Sequence, residues 1–165
     1  RDYWLEQKTL VSVSFAVNPV GPRVRLATAK KADGGFIVDA ISTDGGGIPR
    51  NVLLPADLAL VDLGGLTLQE LVAKISYLPA QMLGLTNKGS LAAGWDADIT
   101  IVDRLRRSAF ATIIGGQVCY IDGKILGCGG RIITTAAGAD YVRSQGLEPL
   151  IVDLADSSVL RKARK

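Results

Sequence analysis

Six residues, Phe36-Ile37-Val38-Asp39-Ala40-Ile41, form a nearly unbroken apolar run that ends in Ser42-Thr43-Asp44-Gly45-Gly46-Gly47. Such a run is expected of a parallel strand covered on both faces, and only a layered α/β sheet or an α/β barrel supplies that cover. Asp44 then falls just past the strand's C-terminal end, the edge at which such folds place their chemistry. By spacing alone Asp44 fits two roles: a reactive carboxylate, or an Asp in a glycine turn that bonds its own backbone. Upstream, Val11, Val13, Phe15 and Val17 alternate with smaller residues in the period-2 pattern of a strand with one buried face, and Pro19, Gly21 and Pro22 close it.

The patterning then becomes helical. Thr67 can cap a helix over 67–78, Glu70 completes a capping box, and Leu68, Leu71, Val72, Ile75 and Leu78 share one face. Pro79 is expected to end that helix and open a short second one that stops at Gly84. From Ser90 the texture changes to short strands and glycine turns: Ile99 to Val102, Ala111 to Ile114, Val118 to Ile121, a hairpin turn at Asp122-Gly123, then Ile125-Leu126. Turn chemistry makes this half antiparallel. A helical stretch from Thr134 to Gln145 and a strand-like Leu150-Ile151-Val152 follow.

Composition excludes several functions. Hydrophobic residues make up 48% and charged residues 21% of 165 positions, which suits a globular chain. There is no histidine, so neither a Ser-His-Asp triad nor a His-ligated metal site can be completed within this sequence. The net charge of +3 comes from the tail: without Arg161, Lys162, Arg164 and Lys165, 15 basic residues face 16 acidic ones. No basic face for nucleic acid is expected. No apolar stretch is long enough to span a membrane and no signal peptide is visible, which points to a cytoplasmic location. Cys119 and Cys128 lack the spacing of a zinc or redox site and read as reduced structural residues. The sequence opens at Arg1 and its one methionine is Met82, so residues upstream of Arg1 are expected.

The run from Pro79 to Asp103 carries Pro79-Ala80, Leu83-Gly84-Leu85, Lys88-Gly89, and Gly94-Trp95-Asp96-Ala97-Asp98, then an apolar strand ending in Asp103. Together with the hairpin around Gly115-Gly116, it resembles the C-terminal segment of the amidohydrolase superfamily. Leu78 stands where the family usually has Asn before Pro-Ala. The resemblance implies an α/β plus β fold: the last strands and helices of a (β/α)8 barrel, followed by part of a small β-sandwich. Phe36 to Ile41 would be the eighth barrel strand. The implied domains are 1–86 for the barrel part, 87–128 for the sandwich segment and 129–165 for a C-terminal extension. Asp96 and Asp98 are expected to be structural, accepting backbone N–H bonds where the chain turns into a strand.

On the same resemblance, Asp44 falls where the family carries an aspartate that binds metal and shuttles a proton, a pairing that suits a carboxylate. Gly45 and Gly46 could lie low beside a substrate or belong to an ordinary loop. Arg50 could meet a substrate carboxylate or remain solvated. Lys30 and Lys31 are assigned to solvent, and Trp95 to packing between barrel and sandwich. The implied cofactor is a divalent metal, zinc first, as one or two ions whose remaining ligands lie outside this chain; iron, manganese and nickel also suit an Asp oxygen. The implied partners are a small-molecule substrate, the upstream part of the same barrel and further copies in a homo-oligomer. The activity implied is hydrolysis of a C–N bond by metal-activated water, with the isolated chain inactive. The alternative is a non-catalytic scaffold or binding protein that keeps the fold without metal.

Overall fold

Helix formation is best explained around Thr67. In the computed structural model, which describes Glu6 and residues 19–43, 52–127 and 131–163, Thr67 Oγ1 accepts the Glu70 N–H at 3.2 Å. Glu70 Oε2 in turn accepts the Thr67 N–H at 2.8 Å, which completes the expected capping box. Among the described residues, α1 (Val20–Thr28) and α2 (Leu53–Asp62) precede it. The expected strand Val11 to Val17 lies outside the described residues.

The helix that Thr67 caps does not stop at Pro79. It runs as α3 (Leu68–Val72), a π-helical turn (Ala73–Tyr77) and α4 (Leu78–Met82). Proline lacks an N–H and its ring would strike the carbonyl four residues back. Widening the preceding turn relieves that clash: the Leu78 N–H reaches back to the Ala73 carbonyl, five residues away, and the helix continues. The expected break is therefore a π-turn. Leu71 on this helix packs with Leu58 and Leu66 in the main core, joined by Phe36, Ile41, Ile75 and Val102 among others.

The segment expected to be the eighth barrel strand is not laddered. Phe36 makes a single antiparallel bridge to Lys30. The Ile37 N–H goes to the Ala29 carbonyl at 3.1 Å, just past α1, and the Ile41 N–H to the Lys74 carbonyl at 3.2 Å. A parallel strand takes its hydrogen bonds from strands on either side; here a helix end and a helical carbonyl supply them instead. Among the described residues no closed barrel is present.

The second half matches expectation closely. β1 (Ile99–Asp103), β2 (Ser108–Ile114), β3 (Gln117–Ile121) and β4 (Lys124–Ile125) form one antiparallel sheet in sequence order. Ile99 faces Ile113 and Ile101 faces Ala111, with bulges after Ile101 and after Thr112. Asp122 and Gly123 both have positive φ, 43° and 84°, which is the turn chemistry of a two-residue hairpin. No second sheet packed on this one as a sandwich is assigned among the described residues. Cys119 is a free thiol, and Cys128 lies outside the described residues.

Before β1 the chain is fastened by charge. The Lys88 ammonium bridges Asp96, at 2.7 Å, and Asp98. Asp98 Oδ1 accepts the Gly115 N–H at 2.8 Å, and Asp96 Oδ1 accepts an N–H from the Asn87 amide at 2.9 Å. Desolvation pulls Lys88 down, but the two carboxylates outweigh it and hold the ammonium above its ordinary value; Asp98 is held below its own. The aspartates are thus structural, as expected, with Lys88 as the partner that spacing alone did not reveal. Trp95 is half-buried in this turn.

Residues after 131 add a parallel pair, β5 (Ile132–Thr134) and β6 (Pro149–Ile151), joined through α5 (Ala139–Ser144). α6 (Ser158–Ala163) follows. Val152 and Leu150 pack on Ala80 and Leu85, and the buried Ser157 hydroxyl donates to the Met82 carbonyl at 2.7 Å. The extension is therefore seated on the end of α4.

Gly89 lies against the π-turn with φ +87°, and a Cβ there would come within 2.9 Å of the Ser76 carbonyl oxygen and the Tyr77 Cα. Gly94 has a similar φ of +82° but open space around it. We expect Gly94→Ala to cost about 1–2 kcal/mol for the left-handed backbone alone. Gly89→Ala should cost at least about 1 kcal/mol more, because backbone must also shift. Urea unfolding of the two variants measures the difference, and equal losses would contradict this packing.

Candidate functional site

Asp44, Gly45, Gly46 and Arg50 lie outside the described residues. The structure describes the segment that leads to them, 36–43, and the helix that follows, which begins with Val52 and α2. Between α1, this segment and α2 is a cavity of about 550 Å³, lined by Val24, Val38, Ile41, Thr43, Val52 and Asp57 among others. Its walls are mainly aliphatic.

Two charged residues stand out beside it, and neither was a sequence-level candidate. Lys74 is completely buried, at 0% exposure. Its ammonium donates to the Val38 carbonyl and lies 3.9 Å from the centroid of the Phe36 ring, a cation–π contact. Desolvation lowers its pKa, while the charges of Asp39 and Glu70 work to raise it. Lys30, assigned to solvent from sequence, is exposed, and from there it pairs with Glu70 and lies 5.5 Å from the same ring. The reason is that Glu70, turned back by the capping box, presents its second oxygen toward α1. Lys30, then the Thr67 N–H, hold the Glu70 carboxyl down at about 2.

Asp57 is 6% exposed, and its Oδ2 has no hydrogen-bond partner among the described residues. Burial pushes its pKa up to about 6. The signal for both residues was faint but present. Lys74 falls three residues after Leu71 and one before Ile75, on the apolar face, and Asp57 precedes the buried Leu58 in a helix whose first turn is otherwise apolar.

Among the described residues no three His, Cys, Asp or Glu side chains come together to hold a metal ion. The chain lacks histidine altogether. The described residues alone therefore do not make up a complete site for a divalent cation.

Because its folded-state value lies above its ordinary one, Asp57 favours the fold when protonated. That contribution is complete below about pH 4, is lost as the pH rises to about 6, and stays lost above it. Asp57→Asn should therefore raise stability at pH 8 by about 1–2 kcal/mol, allowing for solvent on the cavity side, and change little at pH 4. Denaturant midpoints at the two pH values test this; a loss of stability at pH 8 would contradict it.

The model of the amidohydrolase family matches residues 9–126. The chain is 35% identical over a 91-residue alignment to a dihydroorotase of Pelobacter propionicus, covering 41% of this chain and 21% of that protein. It is 31% identical over 112 residues to a dihydroorotase of Methanothermobacter thermautotrophicus, covering 53% and 26%. A 37-residue stretch is 62% identical to an N-acetylglucosamine-6-phosphate deacetylase of Lysinibacillus sphaericus, covering 22% and 10%. Among solved structures, the β-aspartyl dipeptidase of Fervidobacterium islandicum in complex with β-Asp-Leu is 26% identical with a TM-score of 0.41, covering 59% of this chain and 23% of that one. The chain spans about a quarter or less of the length of these relatives. The match runs through the Lys88, Asp96 and Asp98 fastening and the antiparallel sheet, and it covers more than half of the sequence: the chain belongs to the amidohydrolase family.

Proposed function

We propose that this chain is part of a metal-dependent hydrolase that cleaves a C–N bond in an amide, cyclic amide or amidine, and that Asp44 is its contribution to the chemistry. The family match over residues 9–126 carries this reading, because it takes in both the apolar segment leading to Asp44 and the fastened turn after α4. The relatives' names point the same way: dihydroorotase, deacetylase and dipeptidase all act on C–N bonds.

Asp44 would hold a divalent ion, zinc by preference, through a carboxylate oxygen. That ion, when bound, supplies a water nucleophilic at neutral pH and polarises the carbonyl under attack. The Asp44 carboxylate takes a proton from the attacking water and returns it to the departing nitrogen. Gly45 and Gly46 would leave room for substrate beside Asp44, and Arg50 would pair with a substrate carboxylate. The remaining ligands come from other barrel strands. The exposed apolar side chains of Val20, Val24, Leu26, Ile37 and Val52, which rim the cavity or flank it, support such a cover. The reading includes a (β/α)8 barrel with an attached β-sandwich, a small-molecule substrate, a homo-oligomer and a cytoplasmic setting. No helix among the described residues is long and apolar enough to cross a membrane.

The test uses the full-length protein that carries this sequence, assayed with dihydroorotate, N-acetylglucosamine 6-phosphate and β-Asp-Leu. Asp44→Asn should lower turnover of whichever substrate is cleaved by roughly 10²–10⁴-fold and reduce bound metal by elemental analysis. Undiminished turnover and metal content would refute the role of Asp44.

A further inference from the structure

We propose that Asp57 anchors the part of the protein outside this chain: a lysine or arginine from there enters the cavity beside α2 and pairs with the Asp57 carboxylate. This rests on the barrel reading given above, in which further elements cover α1 and α2. Asp57 lines the cavity of about 550 Å³, is buried, and among the described residues its Oδ2 has no hydrogen-bond partner. A buried carboxylate is ordinarily paired or hydrogen-bonded, because stripping it of water is costly. Here burial acts on Asp57 with no opposing charge set against it, and at neutral pH the carboxyl is still mostly ionised.

The surroundings favour a protein side chain as the occupant. Val20, Leu26, Ile37 and Val52 are exposed at the rim or beside it, and a contiguous apolar surface of this kind marks a face that other protein covers. The chain spans about a quarter or less of the length of the relatives it matches, which leaves ample protein to supply the cover. Aliphatic walls with one carboxylate suit the long apolar stem and terminal cation of lysine or arginine. Among the described residues, Arg23 on α1 is the other charged residue in the lining. It is exposed, and it does not figure among the causes that set the Asp57 pKa. Segment 36–43 contributes only the uncharged Ser42 and Thr43 as polar side chains. Once a cover excludes water, an unpaired Asp57 would be costlier still, whereas a cation at that place offsets the charge and fixes where the cover sits.

The experiment is a crystal structure of the full-length protein, with Asp57→Asn as the companion variant. A lysine or arginine nitrogen from outside this chain is expected within about 4 Å of Asp57 Oδ2. The gain expected above for Asp57→Asn at pH 8 belongs to an Asp57 without a partner, as in this chain. In the full-length protein the sign reverses: the variant strands a buried cation and should unfold in urea at least about tenfold faster at pH 8. Arg23 turned in onto Asp57, or only water or a small organic cation beside Oδ2, would overturn the proposal, as would slower unfolding of Asp57→Asn. If Val24 and Val52 stay open to solvent in the full-length structure, the barrel reading falls as well. If both are covered and Oδ2 meets no lysine or arginine, the ion pair alone is wrong.

Discussion

Pro79 would break an ordinary helix, and the wide turn that lets the helix pass through it is where the parts of this chain meet. The Leu78 N–H reaching to the Ala73 carbonyl opens the backbone at residues 73–77. Onto that turn Gly89 settles with no room for a side chain, which fixes the start of the Lys88, Asp96 and Asp98 fastening. From the same turn Lys74 reaches the other way, to Phe36 and Val38. The last turn of α4 then receives Ser157 and the C-terminal extension. A single helical run from Leu68 to Met82 thus meets the apolar segment through Lys74, the turn before the sheet through Gly89 and the C-terminal extension through Met82.

Charge plays two different parts along this run. Lys88 keeps partial access to water and has two carboxylates, so its charge is compensated where it sits. Lys74 is fully buried and takes a carbonyl and an aromatic face as its near partners, which offset desolvation only in part. Asp57 shows the other resolution of the same problem: with no partner for Oδ2 among the described residues, burial moves its titration toward the neutral range instead.

Local chemistry was readable in the sequence wherever one residue decides the geometry. Thr67 and Glu70 announce their capping box, Asp122-Gly123 its hairpin, and the antiparallel sheet follows from its turns. Where partners are remote in sequence, reading was harder. The apolar run 36–41 looks like a laddered strand, yet a strand exists only through its neighbours, and among the described residues its N–H groups go to Ala29 and Lys74. Pro79 correctly marks strain but not its relief, since a π-turn has no residue signature of its own. Lys74 and Asp57 went unnoticed because charged residues are ordinarily assigned to solvent. The candidate site itself was legible only through the family resemblance, which puts a function on Asp44 that its glycine turn leaves undecided.

The most direct measurement is diffraction from zinc-loaded crystals of the full-length protein, with anomalous data at the zinc edge. The account predicts a peak about 2.0–2.2 Å from an Asp44 carboxylate oxygen. An Asp44 carboxylate turned onto the backbone N–H groups of its own glycine turn, with no anomalous peak beside it, would contradict it.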